Sequence, residues 1–247
     1  RVRIIPEYGD MFVAAFDDVD TPEDVNIVHI GNALGAFMGS EWQSFDSPWD
    51  AYLNEARSLP ADAERGRALF FGRGECSSCH SGPLFTDQKF HALALPAFGP
   101  GRTRQWDPMP RDVGRMGESN RLEDAYRFRT PSLRNVALTG PYGHNGAYST
   151  LRGILEHHRN PLEARAAWTK ADAKLPDAPW LGAIDFVIQS DSREMARQIN
   201  AVDLVSLPLS DGDLSDIEAF LHALTGATAQ DRPLGRPDRV PSGLPVD

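Results

Sequence analysis

The chain has 247 residues, 41% hydrophobic and 24% charged, with 35 acidic against 25 basic side chains for a formal net charge of −10. That length holds one large domain, or a smaller one with long appendages, and is ample for a buried core. The acidic balance argues against nucleic acid or an anionic membrane surface as partner and suits a basic protein partner, and no apolar run nears the roughly 18 residues of a membrane span.

The chain opens at Arg1, with neither a methionine nor a basic-then-apolar leader, so an upstream piece is expected to have been removed or to lie elsewhere. Thr21-Pro22-Glu23-Asp24 reads as a helix start, with a capping residue, a first-position proline and acids in the first turn. Val25, Val28, Ile30, Leu34, Phe37 and Met38 then give that helix a broad apolar face. A short helix is expected from Ser47-Pro48 to Ala56, and a third from Asp62 to Phe71.

The third helix leads into 74-GECSSCHSGP-83, which holds both cysteines of the chain. C-x-x-C-H is the attachment signature of haem c: Cys76 and Cys79 supply thioethers, and His80 supplies the iron ligand on one face. The alternatives are a redox dithiol or half of a zinc site, and zinc needs a second ligand pair that no further cysteines provide. Covalent haem of this kind is attached outside the cytoplasm, so an exported, periplasmic protein is expected.

Residues 81–121 are rich in Gly, Pro and Arg and weak in periodicity, and read as a long loop. Between Thr150 and Pro161 lies the most informative helix, capped by the first and ended by the second. Leu151, Ile154, Leu155 and His158 share one face of it, and His157 stands about 100° away. A last helix runs from the Ser210 cap through Leu214, Ile217, Leu221 and Leu224 to Gly226, followed by an irregular proline-rich tail. Three segments result: 1–60 helical, 61–226 around the pentad, and 227–247 as tail.

With the pentad, the run Phe128-Arg129-Thr130-Pro131-Ser132-Leu133-Arg134-Asn135-Val136, Leu138-Thr139, Pro141-Tyr142, His144-Asn145-Gly146 and Thr150-Leu151 resembles the C-terminal half of the bacterial dihaem cytochrome c peroxidase/MauG family. The stretch 82–102 and the closing Val240-Pro241-Ser242-Gly243-Leu244-Pro245 are similar to family elements too. The resemblance implies an all-α, cytochrome c-like haem domain with long loops, and an N-terminal helical crossing segment in 1–60 that packs on a first haem half. It also implies that Gly66 lets the helix before the pentad cross the helix from Ser210. The family carries a haem in each half, whereas this chain has one pentad, so a first haem-bearing half or chain becomes an expected partner.

The family's second axial ligand stands fourteen positions after the histidine of its P-Y-x-H motif, and the count from His144 gives His158. The resemblance therefore implies a bis-histidine iron, His80 with His158, for which His157 is the rival and Met109 and Met116 are remoter candidates. It further implies Arg129, Arg134 and His144 near the haem propionates, and a calcium ion on the backbone carbonyls of Thr139 and Pro141. His91 falls in a family element without a ligand role, and His29 and His222 read as structural.

Two axial imidazoles give an iron that exchanges electrons and resists peroxide. The expected function is thus the electron-transfer half of a MauG-like or peroxidase-like oxidoreductase that uses hydrogen peroxide at a haem elsewhere and exchanges electrons with a redox protein partner. The alternatives are a free-standing monohaem electron carrier, and a peroxidase acting at this haem through an open iron position.

Overall fold

The computed structural model describes residues 2–55, 57–99, 111–175, 177–231 and 237–246. Its helices are α1 (Pro6–Ala15), α2 (Ile27–Glu41), α3 (Pro48–Leu53), α4 (Ala61–Phe71), α5 (Met116–Ser119), α6 (Leu151–Arg159), α7 (Pro161–Ala167), α8 (Ser192–Asn200), α9 (Asp211–His222) and α10 (Ala227–Asp231). The strands β1 (Phe90–His91) and β2 (Phe128–Arg129) pair antiparallel, Phe90 opposite Arg129. The chain folds into two compact units, 1–45 with 226–247, and 46–225.

In the first unit, Thr21 caps only a single 3-10 turn, Pro22–Asp24, and α2 begins later than the Thr21 signal suggests. Asn26 is the true cap: its side chain accepts from the Val28 amide at 2.8 Å, and its own amide donates to Nδ1 of His29 at 3.1 Å. His29 is buried and completes the joint with a bond to Asp18, a structural use. The apolar residues of α2 are largely uncovered; Ile27, Val28, Leu34, Phe37 and Met38 are all exposed. Arg239 of the tail pairs with Glu7 of α1 at 2.8 Å.

The second unit is built on the crossing of α4 and α9. A Cβ at Gly66 would lie 1.8 Å from the Asp216 carbonyl oxygen, so only glycine allows the helices to approach this closely. Phe70, Phe85, Phe220, Leu214, Ile217, Leu221 and Leu224 fill the core around the crossing, with Leu151 and Leu155 of α6 packed against them. The short helix α3 lies in this unit: the Trp49 amide donates to Ala223 O at 3.0 Å, and its ring meets Phe220 edge-on at 5.4 Å.

Asn160 both ends α6 and caps α7, accepting from the Glu163 amide, so Pro161 is the first residue of a new helix as well as the stop of the old one. The stretch expected as loop carries β1, part of the ladder and α5, in which Met116 sits; Met109 lies outside the described residues. Among the described residues no helix is long and apolar enough to cross a membrane.

Candidate haem site

The last turn of α4 feeds directly into the pentad. Gly74 donates to Leu69 O at 2.9 Å, and a 3-10 turn over Cys76–Ser78 brings His80 back to donate its amide to Cys76 O at 2.9 Å. A Cβ on Gly74 would meet Leu69 O at 2.8 Å. This tight coil sets both thiols and the histidine on one short arc. Cys76 and Cys79 are free thiols, half-buried, and burial pushes the Cys76 thiol up to about 11. It is therefore present as the thiol at neutral pH.

Three histidines are decided by what their ring nitrogens touch. Nδ1 of His80 faces Phe85 O at 3.1 Å, and Nδ1 of His158 faces Ile154 O at 2.8 Å. A carbonyl can only accept, so Nδ1 carries the proton in both rings and each Nε2 keeps its lone pair. Burial, and then the nearby charge that His158 would carry, lowers His80 to about 4; burial likewise lowers His158. Both imidazoles are neutral at ordinary pH, and the two are close enough to sense each other's charge.

His157 differs. It is fully buried, Nε2 faces Leu93 O at 2.7 Å, and Nδ1 accepts from the Tyr148 hydroxyl at 2.8 Å. Burial lowers it to about 4 as well. Both nitrogens are committed, so no lone pair remains for a metal.

The expected propionate partners have other engagements. Arg134 forks onto both oxygens of Asp50 at 2.9 Å each and donates Nε to Pro83 O at 2.7 Å. Asp50 itself is held by Ser47 at the start of α3, so Arg134 fastens α3 to the loop after the pentad. Arg129 is exposed and donates to Gln88 Oε1 and Thr130 O, at 2.8 and 3.1 Å. The His144 ring bonds Asp112 at 2.8 Å and stacks on Phe128 with centroids 3.7 Å apart. Thr139 uses its hydroxyl on Val136 O at 3.1 Å, and Pro141 opens the turn in which Tyr142 and Tyr148 bridge.

Sequence reasoning missed a second polar group beside the pentad. The His91 ring bonds Asp87 at 2.9 Å, and Cys79 Sγ lies within 4.8 Å of both. The Asp87 amide also donates to Cys79 O at 2.8 Å. Against burial, the His91 bond draws Asp87 down to about 2, so it stays a carboxylate. Only the i, i+4 spacing of Asp87 and His91 was visible beforehand.

The residues present suit a covalently held haem: two unpaired thiols in one coil, a neutral imidazole with its lone pair available directly after them, and a second such imidazole close by on α6. The class so defined is a helix-rich protein built around a haem-attachment pentad.

The relatives narrow this. MauG, a methylamine utilization protein of Methylorubrum extorquens, is 33% identical over 168 residues, covering 67% of this chain and 43% of that protein. Cytochrome-c peroxidase IdrP1 of Denitromonas iodatirespirans is 35% identical over 176 residues, 63% of this chain and 46% of that one. The solved structure of the dihaem peroxidase BthA from Burkholderia thailandensis superposes with a TM-score of 0.61 at 26% identity, over 98% of this chain and 61% of that one. No family model matches. The chain belongs to the MauG and dihaem cytochrome c peroxidase family, and it spans about half the length of the curated relatives it matches.

Proposed function

We propose that this chain is the electron-relay half of a MauG-like, peroxide-using oxidoreductase, with one covalent haem c on Cys76 and Cys79 between His80 and His158. The observation that carries the reading is the matched pair of neutral imidazoles, each with Nδ1 turned to a backbone carbonyl, that of Phe85 for His80 and that of Ile154 for His158. Haem held there exchanges single electrons. The protein's own part would be to offer His80 and His158 to the iron, so keeping peroxide from it, and to hold each ring in one tautomer through its carbonyl. The 61–226 region is read as a cytochrome c-like haem domain.

The peroxide-reactive haem is assigned to a first half or separate chain. Support comes from the exposed apolar residues of α2, in the segment expected to pack on such a half, and from relatives of which the matched stretch covers only 43% and 46%. A free-standing carrier would have no use for so much uncovered apolar surface. The reading includes a periplasmic location and a redox protein partner. A calcium ion on the carbonyls of Thr139 and Pro141 would need further ligands from the first half. Arg129 and His144 stay as propionate contacts on the resemblance, whereas Arg134 is assigned to Asp50.

Mixing the ferric protein with hydrogen peroxide tests the relay role. The haem of this chain should show no direct spectral change on the mixing timescale. A prompt change in this chain alone would move peroxide chemistry onto it and overturn the proposal.

A further inference from the structure

Three consecutive carbonyls, of Leu93, Ala94 and Leu95, are captured by buried side chains of the α6–α7 pair. His157 donates Nε2–H to Leu93 O at 2.7 Å, and Arg165 donates Nη1 to Ala94 O at 2.6 Å and to Leu95 O at 2.7 Å. Arg165 is only 7% exposed, and its Nη2 donates to Gln198 Oε1 of α8 at 2.7 Å. Tyr148 closes the far side of the His157 ring.

Two features here are locally unfavourable. Arg165 is a buried cation that makes no ion pair among the described residues, its Nε has no hydrogen-bond partner, and burial lowers its pKa. Ala94 has φ +52°, the left-handed region that disfavours a side chain. Such features persist where the surrounding geometry over-determines them, and they gather at functional sites. A loop that needed only covering would be served by apolar side chains with neither penalty.

We propose that His157 and Arg165 are positioning residues that latch the α6–α7 pair onto residues 93–95 and so fix the direction in which His158 presents Nε2. The inference rests on His158 being the iron ligand. His157 and His158 are neighbours on one helix, about 100° apart around its axis. With both nitrogens of His157 bonded, α6 cannot rotate without breaking a buried hydrogen bond, and Arg165 prevents the whole pair from sliding along the segment. The ligand ring therefore keeps one orientation as the electron comes and goes.

The test uses the natural holoprotein and compares His157→Leu, Tyr148→Phe and His158→Ala. The readouts are covalent haem content, the low-temperature electron paramagnetic resonance spectrum of the ferric state, and carbon monoxide binding by the ferrous state. His157→Leu should stay low-spin, with a shifted and broadened largest g value. Its carbon monoxide binding should rise about ten-fold over wild type, the factor implied by losing one to two ordinary hydrogen bonds. Tyr148→Phe should shift the g value in the same direction by less. A folded His157→Leu with wild-type g values and wild-type resistance to carbon monoxide overturns the latch. If His157→Leu incorporates no haem, Tyr148→Phe decides, and an unchanged spectrum there overturns it equally. A high-spin His157→Leu beside a low-spin His158→Ala would make His157 the ligand, which overturns the latch together with the reading beneath it. A loss of low-spin signal in His158→Ala with no effect of the other two sinks the latch alone.

Discussion

Asp50 and Arg134 form a bidentate ion pair, 2.9 Å on each arm, with side chains only 9% and 10% exposed. It joins residues 84 positions apart, the first turn of α3 to the segment after β2, from which Arg134 also donates to Pro83 O in the loop that follows the pentad. Removing one member of such a pair leaves an uncompensated buried charge, which costs about 3–5 kcal/mol. Asp50→Ala should therefore lower the melting temperature strongly in a calorimetric scan. Replacing both by apolar residues of similar volume should recover most of the loss.

The same pair sets an acid limit on stability. Burial pushes the Asp50 carboxyl up, yet the Arg134 fork and the Ser47 hydroxyl outweigh it and hold the carboxyl below its ordinary value. A carboxylate whose folded pKa is lowered contributes stability above its unfolded pKa, and that contribution is lost as pH falls through the folded value. Denaturant titrations below pH 4 should show the wild type losing stability faster per pH unit than Asp50→Asn.

Gly66→Ala would press a methyl carbon onto the Asp216 carbonyl, 1.8 Å away in the present geometry. Helix backbones on both sides leave no flexible end to yield, so the loss should reach at least about 3 kcal/mol, the upper end of ordinary overpacking. Denaturant unfolding measures it, and a Gly66→Ala protein of wild-type stability would show that α4 and α9 do not cross here.

Cys76 and Cys79 are predicted to act as independent tethers. Either single Cys→Ala variant should retain haem stain on a denaturing gel at reduced yield, and the double variant should lose it altogether. Stain persisting in the double variant would place the attachment elsewhere.

Much of this was legible from residue order. The Ser47, Thr150 and Ser210 caps and the α6 face that sets His158 apart from His157 rest on local spacing, which a sequence displays directly, whereas the α4–α9 crossing through Gly66 was legible only through the family resemblance. The start of α2 was misplaced because Thr21-Pro22 and Asn26 both satisfy cap chemistry, and only the His29 ring bond settles between them. The engagement of Arg134 by Asp50, of His144 by Asp112, and of Leu93 to Leu95 by His157 and Arg165 was out of reach. These are partnerships across 84, 32 and about 64–71 positions, and no periodicity encodes them.

The central claim is that two neutral imidazoles close both faces of one iron. The direct measurement is the low-temperature electron paramagnetic resonance spectrum of the ferric protein beside that of His158→Ala. A purely low-spin wild type that turns high-spin in the variant is the predicted result. A high-spin wild type would contradict the account and make this site the one where peroxide binds.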